Sequence, residues 1–118
     1  MRQFRRSDRL SEQILRDVST LVPQEWGTSV ATFINFTRAR MSADLKYVTI
    51  YWSILGDETK RAEAVSFLEN QNKRIRHLLA GQLRLRMLPE LIFKFDPSVE
   101  ESIRLEKLFN EIRSTSRK

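Results

Sequence analysis

The chain contains no cysteine. That absence excludes disulfides, thiolate metal sites and thiol nucleophiles together, and it fits a reducing compartment such as the cytoplasm. A single histidine, His77, cannot build a histidine-based metal site. Three glycines and three prolines among 118 residues leave little material for long loops or a disordered linker. No apolar run approaches the ~20 residues that span a bilayer, so no membrane association is expected. Arg2, Arg5, Arg6 and Arg9 lead into an amphipathic segment rather than the apolar core of a secretory signal. Asp8, Glu12 and Asp17 interrupt that segment, against an arginine-rich, acid-poor transit peptide.

Catalytic chemistry is equally hard to find. No glycine-rich phosphate loop or dinucleotide fingerprint occurs. Glu100 and Glu101 are neighbours on an expected helix and point in different directions, and Asp57 and Glu58 fall where acids stabilise a helix start. With no activated nucleophile, metal or paired carboxylate, the chain reads as a non-enzyme without cofactor or metal.

What is present is a modest core and a biased charge. The hydrophobic fraction is 41%, and the 118 residues suit one domain, with a short basic arm over 1–6 and a polar tail over 114–118. Twenty-one basic residues against fifteen acidic ones give a net charge of +6, which favours polyanionic partners.

Leu10, Ile14, Val18 and Leu21 form the stripe of a helix over 7–22, capped by Ser7 and terminated by Pro23. A loop holding Trp26 and Gly27 follows. Residues 29–38 turn β-branched and aromatic and predict a strand. A polar break at Met41-Ser42-Ala43-Asp44 leads to a second strand over 45–55, where Val48, Ile50, Trp52 and Ile54 share one face while Thr49 and Ser53 take the other. Gly56-Asp57 ends it. Residues 59–71 and 73–85 predict two helices, residues 90–95 a third strand, and residues 98–113 a last helix opened by a Ser98/Glu101 capping box, with Val99, Ile103, Leu108 and Ile112 as an apolar stripe. The order α-β-β-α-α-β-α requires helices covering one face of a small sheet, hence an α+β two-layer sandwich.

Charge is concentrated in one place. Residues 73–86 hold Lys73, Arg74, Arg76, Arg84 and Arg86 without one acid. On a helical wheel Ile75, Leu78, Leu79 and Gln82 cluster on one side; Lys73, His77 and Arg84 fall opposite, with Arg74 and Arg76 flanking. Arg86 would land on the apolar side, so the helix is expected to end before it. Ala80 and Gly81 leave the helix open to close approach by another backbone. Such a face suits an RNA phosphate backbone, with Arg2, Arg5 and Arg6 as auxiliary anchors; the same pattern also describes a solvated surface. From Asp96 to Glu111, by contrast, five acids face only Arg104 and Lys107. Trp52 reads as core, and Trp26 is left open between core and surface.

The segment from Ile75-Arg76 through Leu85-Arg86, Pro89-Glu90-Leu91, Phe93, Asp96 and Ser98 resembles the ribosome-binding factor A family. Ser42-Ala43-Asp44-Leu45 leading into Val48-Thr49-Ile50-Tyr51 is similar to that family's second strand, and the first helix matches in kind, so the likeness covers nearly the whole chain. It implies a type II K-homology-like domain, α-β-β-α-α-β plus a C-terminal helix. It also implies an RNA-binding chaperone that acts on the small ribosomal subunit and its 16S ribosomal RNA. Late maturation of the 30S particle, processing of the RNA's 5′ end and growth in the cold are the family's attributes. A maturation GTPase is a possible partner in release, and the free protein is expected to be a monomer. Where the family carries an Ala-x-Gly helix kink, this chain has Gln71-Asn72-Lys73; Asn72 tolerates left-handed geometry, which is compatible with a break there, and whether the kink forms without its glycine is left open by the sequence. The alternative is a protein–protein adaptor that docks through the acidic C-terminal helix.

Overall fold

In a computed structural model, the chain is described for residues 2–27, 29–85 and 87–116, with the side chains of 2–5, 99–100 and 115–116 excepted. Three helices and three strands are joined in the order α1 (Arg2–Glu25), a 3₁₀ turn (Val30–Phe33), β1 (Ile34–Met41), β2 (Tyr47–Ile54), α2 (Glu58–Leu83), β3 (Glu90–Phe95) and α3 (Ser98–Ser116). The fold class is mixed α+β. The sheet order is β1-β2-β3, with β1 antiparallel to β2 and β3 parallel to β2. A parallel neighbour needs a long crossover, and α2 supplies it.

One core joins the layers. Ile14, Val18, Leu21 and Val22 of α1 and Ala64, Leu68, Ile75 and Leu79 of α2 are buried against Ile34, Phe36, Val48, Ile50, Trp52 and Leu91 of the sheet. Trp52 is therefore core, packed edge-on to Phe95 at 5.2 Å between ring centroids. Trp26 is half-buried and stands T-shaped on Phe67 at 5.4 Å, pinning the end of α1 to α2.

Several boundaries differ from the sequence reading: β1 also runs on to Met41 rather than ending at Arg38, β2 is confined to Tyr47–Ile54, and the differences at α1, the start of β1 and α3 have local reasons. The helix expected over 7–22 runs from Arg2 to Glu25, so the backbone of the basic arm is helical and Ser7 is not its cap. Pro23 does not terminate the helix: it lies in the last turn, where its own N–H bond is lost, and the helix ends two residues later at Glu25. The chain then turns at Gly27, where a Cβ would sit 3.0 Å from the Pro23 carbonyl oxygen. The strand expected from residue 29 starts at Ile34, because Ser29 captures the preceding segment. Its Oγ accepts from the Ala31 N–H at 3.2 Å and its carbonyl accepts from the Thr32 N–H at 3.2 Å, which winds a 3₁₀ turn instead. The last helix continues to Ser116, into the expected polar tail, and its first turn is held by Asp96, whose Oδ1 accepts from the Ser98 N–H at 3.0 Å.

The largest difference is α2. The two helices expected over 59–71 and 73–85 are one continuous helix, with no break at Asn72. Buried Ala64, Leu68, Ile75 and Leu79 are spaced by four, seven and four residues and stay in phase across 71–73, so a kink would pull one half of the stripe off the sheet. Asn72 is held helical from outside: its Nδ2 donates to the Leu91 carbonyl of β3 at 3.0 Å. Asp57 caps the start, accepting from the Lys60 N–H at 3.1 Å.

A bulge between Phe36 and Arg38 leaves Thr37 as the extra residue in β1. It resets the alternation, so that Ala39 and Met41 pair with Ile50 and Val48 on the core side while Arg38 and Arg40 turn outward. The Thr37 hydroxyl donates to Asp96 Oδ2 at 2.7 Å, tying the bulge to the end of β3.

Candidate nucleic-acid interface

The C-terminal half of α2 presents its basic residues on the side away from the sheet. At 100° per residue, Lys73, His77, Gly81 and Arg84 fall within one narrow strip, opposite buried Ala64, Leu68, Ile75 and Leu79. All four strip residues are exposed, and Arg74 beside them is exposed too. At 1.5 Å rise per residue the strip runs ~16 Å from Lys73 to Arg84. No acid lies within it from Lys73 to Arg84; exposed Glu69, one turn before Lys73, borders its start. Gly81 sits in open space, with nothing within 4 Å of the position a Cβ would take. Arg84 closes the helix in the left-handed conformation at φ 56°, ψ 34°, an orientation more often given to glycine or asparagine.

Arg76 is used differently from its neighbours. Its Nε donates to the Pro89 carbonyl at 3.2 Å and its Nη2 to the Leu88 carbonyl at 2.6 Å. These bonds tie the segment that enters β3 back onto α2, and the side chain is half-buried. Arg76 thus holds the loop beside the strip. Arg6 is exposed on α1, whereas the side chains of Arg2 and Arg5, and all of Arg86, lie outside the described residues.

Between α2 and β3 lies a cleft of about 360 Å³ lined by Trp52, Leu68, Leu91 and Phe93, with Arg61 and Glu69 at its rim. The Arg61 guanidinium covers the Phe95 ring, 3.7 Å from the ring centroid. Among the described residues there is no cluster of three or more histidines and carboxylates able to hold a metal, and no helix is long and apolar enough to cross a membrane.

The matched family model spans residues 6–109 and describes ribosome-binding factor A. The chain belongs to the ribosome-binding factor A family. A relative from Syntrophomonas wolfei bearing that name is 37% identical over 115 residues, covering 96% of this chain and 94% of its own. A Geobacter metallireducens relative of the same name is 33% identical, with 94% of each chain covered. Among solved structures, a Thermotoga maritima protein of this family superposes with a TM-score of 0.66 at 29% identity, over 75% of this chain and 85% of that one. Thermus thermophilus ribosome-binding factor A, as fitted into a cryo-EM map of a 30S complex, superposes with a TM-score of 0.64 at 20% identity, over 77% and 96% of the two chains. That likeness shows the shared fold.

Within a ribosome-binding factor A fold, the sequence points to the α2 strip and the N-terminal arginines but not to a basic region on the sheet. Arg38, Arg40 and Lys94 are exposed on the open face of the sheet. The signal was available: Tyr47, Thr49 and Tyr51 alternate with buried Val48, Ile50 and Trp52. The bulge at Thr37, which brings Arg38 and Arg40 onto that face, has no signature in the sequence. At the other end of the molecule, every described side chain of α3 from Glu101 to Ser114 is exposed, including Ile103, Leu105, Leu108, Phe109 and Ile112 at 42–54%. Of the expected apolar stripe, Ile103, Leu108 and Ile112 therefore face solvent, and the Val99 side chain lies outside the described residues.

Proposed function

We propose that this protein binds the small ribosomal subunit through its ribosomal RNA and assists late maturation of the 30S particle, including processing of the RNA's 5′ end. Family membership supports ribosome binding, and the Thermus relative has been fitted into a 30S complex. The observation that carries the RNA reading is the acid-free strip of Lys73, His77 and Arg84 with Arg74 alongside, rigid on one unbroken helix. Lys73, Arg74 and Arg84 meet phosphates, and Gly81 lets the RNA backbone approach between them. No bond is made or broken. The factor acts by occupancy, holding local RNA helices in a maturation-competent arrangement until it is ejected, with a GTPase as the candidate trigger.

Co-sedimentation with immature and mature small subunits across a salt series tests this reading. Preferential binding to immature subunits is expected, falling steeply as salt rises. Lys73→Glu with Arg74→Glu should abolish binding while leaving the thermal midpoint near that of the parent. Arg76 is left unchanged because its loss would loosen the 88–89 loop. Undiminished binding by the double variant would remove the strip from the interface.

A second reading rests on α3. Leu105, Leu108, Phe109 and Ile112 follow helical spacing on an exposed helix, the geometry of a segment that docks into a groove on a partner protein. Binding that persists at high salt and disappears when Leu108 and Phe109 become Ser would favour it.

A further inference from the structure

The open face of the sheet carries an arrangement that a solvated surface does not require. Across the strands, Arg38 is registered with Tyr51, and Tyr51 with Lys94, giving a cation–aromatic–cation row. The adjoining row is Arg40, Thr49 and Ile92, and Tyr47 begins the next beside Glu90. Neighbouring strands lie ~4.8 Å apart, so one ring is bracketed by a cation on each side. The Arg38 guanidinium carbon stands 4.0 Å from the Tyr51 ring centroid, yet the side chain remains 65% exposed. Tyr47 is exposed, four residues along the same strand and ~13 Å away.

Little acid opposes these cations. Glu90 is the only outward-facing carboxylate on the three strands, in a chain that holds fifteen acids. Asp96, at the end of β3, is 4% exposed; its two oxygens accept from Thr37 and Ser98, and Oδ2 also stands 4.0 Å from Arg38 Nε, a long ion pair that leaves the Arg38 guanidinium largely in solvent. α3 leaves this face open, since its described side chains from Glu101 onward are exposed.

We propose that this face is a second RNA surface, one that takes an unpaired strand: Tyr51 and Tyr47 each stack a base while Arg38, Arg40 and Lys94 meet phosphates. The inference rests on the RNA-binding reading above. Rings on a sheet face reach bases only where those are splayed out, so a duplex is not the occupant, and on half-buried Tyr51 the base takes the ring face that Arg38 does not cover. An acidic peptide would use the cations but leave both rings idle. Because α1 and α2 cover the opposite face, the protein would lie between two RNA segments, one on the α2 strip and one on the sheet.

Fluorescence anisotropy of the full chain with a labelled oligouridylate of about ten nucleotides reads this surface. Tyr51→Leu should weaken binding about ten-fold, the loss of one stacked base, while Tyr51→Phe should bind like the parent. Arg38→Gln with Lys94→Gln should weaken it further and flatten the salt dependence. Lys73→Glu with Arg74→Glu should lose subunit binding but keep most oligonucleotide affinity. Circular dichroism confirms that each variant is folded. Equal affinity of the Leu and Phe variants would overturn the stacking role. Oligonucleotide binding lost only with Lys73 and Arg74 would overturn the second surface. A parent that co-sediments with subunits but ignores the oligonucleotide would also overturn it, leaving the first reading intact; failure of both would end both.

Discussion

The two sides of α2 differ in what their cations are bonded to. Toward the sheet, Ile75 and Leu79 are buried, and Arg76 spends its guanidinium on the Leu88 and Pro89 carbonyls. Away from it, Lys73, Arg74 and Arg84 are exposed. Arginines two positions apart thus do different work: one builds the domain, the other is left for a partner. Charge alone does not mark an interface; charge that the fold has not already used does.

Substitutions on the buried side should show the largest effect. Ile75→Ala should cost about 2–5 kcal/mol in chemical unfolding, since a fully enclosed side chain leaves a cavity. Arg76→Ala should cost about 1.5–3 kcal/mol, the range for hydrogen bonds from a charged group, whereas Arg74→Ala should shift stability by less than about 0.5 kcal/mol. Equal losses for the two arginines would erase the distinction between the sides. Asp96 extends the comparison to an acid the fold has used. The hydrogen bond from Thr37, then those from Ser98, hold its carboxyl below the ordinary aspartate range despite burial. The folded state therefore releases this proton more readily than the unfolded state. Its contribution is complete above the ordinary aspartate pKa and fades as pH falls through that value toward the folded one, below about pH 4. Asp96→Asn should flatten that part of a stability-against-pH curve. The smallest effect is expected on the exposed side: Gly81→Ala should stabilise by about 0.5–1 kcal/mol, because the new Cβ meets nothing. If the same change weakens subunit binding, the open position serves contact rather than folding.

Much of this was legible in the sequence. Alternation in β2 and β3 and the stripe of α1 identify the core because burial imposes a period. The wheel of residues 73–84 already separated Lys73, His77 and Arg84 from Ile75 and Leu79. What escaped depends on partners distant in sequence. Nothing near Asn72 says that its amide will reach Leu91, which lets a residue with poor helix propensity sit within an unbroken helix. Arg76 looked as free as Arg74 because the carbonyls it binds are twelve and thirteen residues away. The Thr37 bulge, and with it the orientation of Arg38 and Arg40, depends on an acid 59 positions later.

The parallel pairing of β3 with β2 also sets an order of assembly. The β1–β2 hairpin pairs strands that are neighbours in sequence and closes through a short turn. β3 can add only after the whole of α2 has been laid down and has turned back over the sheet, a closure with a far larger entropic cost. Two polar ties to this last strand and its lead-in, from Asn72 and Arg76, come from the helix that delivers it, beside the β2 ladder and the Thr37–Asp96 bond. β3 is therefore the last strand the sheet can acquire, and its seat beside β2 depends on α2 being in place.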